Sequence, residues 1–378
     1  MTKKPKSNSY KNLPKLVERF RNDLREGDNG GCDYVLLFAY NGTGKTRLSM
    51  EFKEMGKRKK DRERDTLYFN AYTEDLFSWD NDLASGNNRF LKFNQDSQFF
   101  SGFKQLALEE RIESYLARYA NFTFDIDYDN WRVRFSKTVD NPKYHPKNGE
   151  PQQIELENIK ISRGEENIFI WCIYLSICEL VIDGEQAYNW IRYFYIDDPI
   201  SSLDDNNAIA VAVDLAKLLK QKDNNIKSVI SSHHGLFFNV MCNELKKKTH
   251  RKYFLHQTKE DGSYSLQATD GTPFFHHVAM LSDIQKASES GNLYTHHFNV
   301  LRSILEKTAT FFGFKDFSQC IHGIDDEVLF SRALNLLSHG KYSAFDPVEM
   351  GEDNKQLFRS ILNGFLDRYR FDLPELNP

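Results

Sequence analysis

The sequence predicts an α/β domain of the phosphate-loop class followed by a small, mainly α-helical C-terminal domain, and three observations lead there. The apolar run Tyr34–Phe38 feeds directly into Ala-Tyr-Asn-Gly-Thr-Gly-Lys-Thr at 39–46. Two later apolar runs, Tyr193–Ile196 and the one opening at Val229, end in Asp197-Asp198 and His233-His234. Short strands that end in polar loops and lead into helices are the pattern of a parallel sheet. From Val278 onward β-patterned runs are few and helical spacing takes over. The expected division is a basic arm and lead-in helix over 1–28, the α/β domain over 29–268 and the helical domain over 269–378.

Each element follows from its residue types. Gly42 and Gly44 permit torsions that let consecutive N–H groups curl around phosphate oxygens. The helix opening at Lys45 adds its positive end. Asn41, Gly42, Thr43, Gly44, Lys45 and Thr46 form the expected cradle, with Lys45 reaching the β- and γ-phosphates and Thr46 ligating Mg²⁺. Ala39 stands where the motif usually carries its first glycine. Asp197, at the end of its strand, is the second expected Mg²⁺ ligand. The segment around Asp197 resembles that of ABC-type ATPases, in which a glutamate that orients the attacking water stands at the position of Asp198, here one methylene shorter. The same resemblance makes His233 the histidine that senses the γ-phosphate, with His234 as its rival. The helix predicted over 167–181 is preceded by Ser162-Arg-Gly-Glu-Glu166, in which Ser162 and Glu165 also read as a capping box.

In this order the segments resemble the phosphate loop, signature, Walker B with D-loop, and switch histidine of ABC-type ATPases. The resemblance implies an ABC-type P-loop domain that holds ATP or GTP with Mg²⁺. It further implies a head-to-tail homodimer or higher homo-oligomer. There Ser162, Gly164 and Glu165 would meet the nucleotide of the partner subunit, and Asp204 of the D-loop would cross the interface.

Composition narrows the alternatives. Over 378 residues the net charge is −4, so nucleic-acid binding has to rest on a local patch. The segment 53–64 carries seven basic residues among three acidic ones and reads as a solvated helix end or a nucleic-acid contact. Five scattered cysteines without CxxC spacing read as buried free thiols of a reducing cytoplasm. The longest apolar stretch, 168–182, is too short and mixed to span a bilayer. The basic, polar first twelve residues lack the core of a signal peptide and read as an unstructured arm. Gln95 and Gln98 are candidates for a Q-loop. The region between phosphate loop and signature has neither a long heptad run nor a zinc hook, which counts against a DNA-repair ATPase with coiled-coil arms.

Residues 297–314 read as one helix stopped by Gly313, with Leu301, Ile304, Leu305, Thr308, Phe311 and Phe312 on one apolar arc. Arg302 and Glu306 are four apart at its rim. A second predicted helix, 325–337, runs into Ser338-His339-Gly340. Arg332, Asn335 and His339 there share a helical face.

Leu-Arg-Ser-Ile-Leu-Glu-Lys-Thr-Ala-Thr-Phe-Phe-Gly-Phe at 301–314 and Leu-Asn-Leu-Leu-Ser-His-Gly at 334–340 resemble the C-terminal domain of bacterial anticodon nucleases of the PrrC type. Residues 69–83 resemble the same group. Those proteins join an ABC-like ATPase domain to a helical ribonuclease domain. The order Arg, Glu four residues on, and a later His carries over to Arg302, Glu306 and His339. Arg332, with six residues between it and His339, resembles instead the Arg-x(4–6)-His motif of HEPN ribonucleases, so the catalytic arginine is Arg302 or Arg332. The resemblance implies an NTP-regulated, metal-independent endoribonuclease. It would cut tRNA in the anticodon loop by 2′-OH attack, leave 2′,3′-cyclic phosphate and 5′-OH ends, and serve as a cytoplasmic antiphage toxin. It also implies a restriction–modification complex as silencing partner. The alternatives are an ATPase sensor of a partner effector and a DNA-end-binding defence or repair ATPase.

Overall fold

The computed structural model describes residues 7–25, 30–57, 64–70, 76–80, 89–97, 100, 103–106, 108–141, 152–199, 205–257, 262–269, 275–321 and 349–369. The chain divides into two compact units, 6–270 and 271–378.

The first unit is built on a seven-stranded sheet in the order β1-β12-β11-β2-β10-β9-β3. Its central strands β2 (Tyr34–Ala39), β9 (Tyr193–Asp197), β10 (Lys227–Ser232), β3 (Thr66–Asn70) and β11 (His250–Gln257) run parallel. The strand β12 (Tyr264–Ala268) pairs antiparallel with β11, and β1 (Ser7–Tyr10) with β12. All six residues of β2 are buried because both faces of the sheet are covered. Tyr34 and Leu36 enter one core and Val35, Leu37 and Ala39 the other. The paired strand Ser7–Tyr10 corrects the expectation of an unstructured arm. Asn12, whose side chain accepts from the Lys15 N–H, then caps α1 (Leu13–Leu24).

The core under Val35 and Leu37 is closed by α1 and by α2 (Lys45–Lys57). A buried ion pair ties these helices to the start of β3. Arg21 gives Asp65 a two-pronged contact (2.8 and 3.0 Å), donates to Phe52 O (2.6 Å), and stacks over the rings of Phe52 and Tyr193. Gly56 is demanded here, since an added Cβ would lie 2.1 Å from Asp65 Oδ1.

After α3 (Phe103–Leu106) and α4 (Glu109–Leu116) comes α5 (Arg163–Ile182), on the other face, which begins four residues earlier than the sequence suggested because Ser162 and Glu165 form a complete capping box. Behind it stand β4 (Phe77–Asp80), β5 (Phe90–Phe93), β6 (Thr123–Asp127) and β7 (Arg132–Asp140), an antiparallel sheet extended by β8 (Gln153–Leu156). Phe69 of β3 packs on Trp171 and Tyr174, while Phe124 and Phe135 pack on Phe169. A helix held between two sheets is apolar all round, which is why 168–182 is the longest apolar stretch of the sequence. No described helix is long and apolar enough to cross a membrane. Gln95 is exposed in the turn after β5, and Gln98 lies outside the described residues.

In the second unit the described elements are α8 (Phe275–Ser290), α9 (His296–Phe312), a 3₁₀ turn (Phe317–Ile321) and α10 (Glu352–Arg368). Leu301, Ile304, Leu305 and Ala309 of α9 meet Ile284, Cys320, Phe358 and Phe365. Gly313, at φ +72°, ends α9. The Phe314 N–H reaches back to Ala309 O (2.8 Å) and the Gly313 N–H to Thr310 O (3.2 Å). The apolar arc is narrower than the wheel suggested. Phe311 is 84% exposed and Phe312 is exposed too, while Ala309 takes the buried place.

Candidate functional site: a nucleotide cradle and a separate Arg–Glu pair

The cradle forms where β2 ends. Gly42 and Gly44 take φ of +83° and +91°, a region in which a side chain is strained. Gly44 lies against Tyr264, whose hydroxyl would sit 3.6 Å from an added Cβ, while the space beyond Gly42 is open. Thr43 braces the turn through its N–H and hydroxyl, both donated to Tyr40 O. Lys45 Nζ donates to Ala39 O (3.0 Å), Tyr40 O (3.2 Å) and Asn41 Oδ1 (3.3 Å), and pairs with Asp198 Oδ2 (3.1 Å). The ammonium is thus held by the loop's own oxygens, where phosphate oxygens would compete for it.

The parallel register places Ser231 of β10 beside Asp197 of β9. Asp197 is 2% exposed and accepts from Ser231 Oγ (2.6 Å) and Thr46 Oγ1 (3.2 Å). Burial pushes its carboxyl up to about 6, and the Ser231 hydrogen bond only partly offsets this. A hydroxyl and a carboxylate side by side are the hard oxygen donors that Mg²⁺ takes. The residues therefore fit a nucleotide with its metal, and the cation would return Asp197 to its charged form.

Asp198 adopts φ +48°, left-handed for a residue with a side chain, at a cost of about 1–2 kcal/mol. Four contacts hold it there. Its N–H donates to Ser231 O (2.9 Å), and Oδ1 accepts from the His233 N–H and from His233 Nδ1 (2.8 Å each). The fourth is Lys45 at Oδ2. Burial alone would raise this carboxyl, but the His233 hydrogen bond and the Lys45 charge bring it below the ordinary carboxylate value. The adjacent histidines differ in job. His234 accepts from the Phe237 N–H (3.4 Å) and caps α7 (Gly235–Glu244), which leaves His233 to Asp198.

Sequence reasoning missed Ser231 and Tyr264. The available signal for Ser231 was a polar residue inside an apolar strand. Ser162 and Glu165 hold the start of α5 reciprocally (2.8 and 3.3 Å). A Cβ on Gly164 would meet nothing within 4 Å, so the unit's own packing does not demand that glycine. Asp204 lies outside the described residues.

In the second unit Arg302 Nε donates to Glu306 Oε1 (2.8 Å) along one face of α9, and the guanidinium sits over the Phe317 ring (5.3 Å to its centre). His339, Arg332 and Asn335 lie outside the described residues.

A family model described as an AAA domain matches residues 139–365. The chain is 33% identical over 339 residues to an anticodon nuclease of Escherichia coli, an alignment that covers 82% of each protein. The chain belongs to the anticodon nuclease family. The AAA match spans both the Walker B strand and the positions of Arg302 and His339, and an AAA domain implies nucleotide binding. Among solved structures it is similar to an Smc head bound to the C-terminal winged-helix domain of ScpA. That likeness covers 64% of this chain and 91% of the other at 9% identity and a TM-score of 0.31.

Proposed function

We propose that the chain is an endoribonuclease that cuts tRNA in the anticodon loop under the control of ATP or GTP bound with Mg²⁺. Family membership with an assembled nucleotide cradle in the same chain carries this reading.

In the nuclease site Arg302, Glu306 and His339 act on a substrate that brings its own nucleophile, the 2′-OH. His339 takes the hydroxyl proton, since an imidazole titrates near neutrality. Arg302 presents guanidinium donors to the charge that grows on the phosphorane, and its perch on Phe317 holds the fork in place. Glu306 orients Arg302 and serves as the complementary acid–base group. The products are a 2′,3′-cyclic phosphate and a 5′-OH.

Control begins at Asp198. Phosphates that draw Lys45 away leave the Asp198 carboxylate to His233, so occupancy is read at the end of β10. Two ATPase units close on two nucleotides, with Ser162, Gly164, Glu165 and Asp204 facing the partner, and the HEPN-like helical domain responds. Nucleotide shifts this equilibrium only by its preference for the closed state. The setting is a cytoplasmic antiphage toxin held silent by a restriction–modification complex.

The test uses purified protein and total bacterial tRNA, with and without ATP or GTP, beside a His339→Ala protein. A discrete cut in the anticodon loop that disappears in the variant is expected, with cyclic phosphate ends. Intact tRNA under every nucleotide condition, or 5′-phosphate ends, overturns the reading.

A further inference from the structure

The parallel strands give the first unit two edges. The cradle, Asp197 and Ser232 stand where strands end; Asp33, Lys227 and His250 stand where β2, β10 and β11 begin. A six-residue strand sets these edges about 20 Å apart. The helices α6 (Asp205–Leu219) and α7 return across the sheet between parallel strands, so their C-terminal ends open on the starting edge.

That edge is basic in a chain that is acidic elsewhere. Residues 217–252 carry nine Lys and Arg against two acidic residues, while the rest of the chain carries 41 against 52. Two of the acids at this edge are surrounded by lysines. Glu244 bonds Lys220 (2.6 Å) and also lies in the field of Lys246 and Lys217; Asp33 bonds Lys227 (2.6 Å) and lies in the field of Lys248. Lys217, Lys222, Lys246 and Lys247 are exposed. A lysine in a last helical turn offsets the helix dipole, which accounts for Lys217. Lys246 lies beyond the end of α7 and donates to Asn243 Oδ1 (3.4 Å). The dipole does not account for Lys222, Lys246 or Lys247, and nothing in the nucleotide cradle uses any of the four. Of the basic run at 53–64 that the sequence drew attention to, Lys53 and Lys57 lie on α2, and residues 58–63 lie outside the described residues.

We propose that this strand-start edge binds the phosphate backbone of the RNA substrate, as a surface separate from the nucleotide cradle. The inference rests on the ribonuclease reading for the identity of the polyanion. Lysine ammonium groups are point charges that grip phosphates without reading bases. The edge therefore supplies affinity and position, while the choice of cleavage site is made elsewhere.

The experiment replaces Lys217, Lys222, Lys246 and Lys247 by Gln together, in full-length His339→Ala protein, and measures bulk tRNA binding from 50 to 200 mM salt. Loss of phosphate contacts should weaken binding 10- to 100-fold at the lower salt and flatten the plot of log affinity against log salt by about 2–4 units. The fourfold Lys→Arg protein should bind like its parent. NTP hydrolysis, which should be unchanged, reports that the unit is folded; if the Gln protein does not fold, Lys246→Gln with Lys247→Gln is read by the same slope. Unchanged affinity and slope in a folded variant overturn the proposal, and if the parent with His339 intact still cleaves tRNA, the nuclease reading stands. RNA bound through these lysines without cleavage by any form keeps the surface and removes the nuclease reading. Duplex DNA that displaces tRNA and binds more tightly through the same lysines overturns the RNA assignment.

Discussion

Two ion pairs of similar length sit in the two units and do different things. Lys45 and Asp198 are 3.1 Å apart with side chains 6% and 17% exposed; Arg302 and Glu306 are 2.8 Å apart at 19% and 50%. The first pair joins the phosphate loop to the end of β9 and shares Asp198 with His233, so it exists only when the sheet is assembled. The second joins neighbouring turns of one helix, and any helix with that spacing forms it. Distance is therefore a poor guide to an ion pair's role. The buried pair is costly to break because its partner charge stays buried. The exposed pair contributes little to stability.

The largest expected effect falls on the exposed pair. Arg302→Lys or Glu306→Gln should lower tRNA cleavage about 10²- to 10⁴-fold and change folding stability by less than about 0.5 kcal/mol. Cleavage rates set beside thermal midpoints check this, and a stability loss above about 2 kcal/mol with cleavage intact would break the contrast. Lys45→Ala should lower nucleotide affinity at least about 100-fold and cost about 3 kcal/mol of stability, read by nucleotide titration and urea unfolding. The Arg21–Asp65 pair offers a second buried case, one with no part in the nucleotide site. Gly56→Ala drives a methyl against Asp65 and should cost about 2–4 kcal/mol without altering tRNA cleavage at low temperature.

The smallest effect is in pH. The Asp197 carboxyl rises from an ordinary 3.8 to about 6 in the folded, metal-free chain. An acid with a raised folded value opposes folding while ionised. The penalty is full above about 6 and is relieved as pH falls from there toward 4. Its share is about 2–3 kcal/mol. Asp198 is shifted the other way, so its contribution is kept through this window and lost only below it. Urea midpoints with a chelator at pH 7 and pH 5 should converge in Asp197→Asn relative to the parent. A parent whose midpoint shifts between pH 7 and pH 5 no differently from Asp197→Asn contradicts the assignment.

Local pattern carried the cradle a long way. Glycines at 42 and 44, Lys45-Thr46, and two apolar strands ending in Asp197 and His233 state their chemistry in residue types and spacing. The order of those segments was enough to name a nucleotide site. Likewise Arg302 and Glu306 are neighbours by helical periodicity alone, and Gly313 announces the stop. What no pattern could supply depends on strands far apart in the chain lying side by side. Ser231 holds Asp197 only through the parallel register of β9 and β10; Tyr264 backs Gly44 from the antiparallel edge. The strand Ser7–Tyr10 looks polar and loose until β12 gives it hydrogen-bond partners. Phe311 belongs to the apolar arc on a wheel, yet burial depends on what packs opposite, and the neighbours chose Ala309. Lysines scattered over 217–252 become one surface only because two helices return across the sheet to a common edge. The sequence by itself determined the chemistry each segment carries, because bonding groups and backbone freedom are local. Only the tertiary structure decided which groups share a site and which of them ionise there, because register, burial and field belong to the assembled sheet.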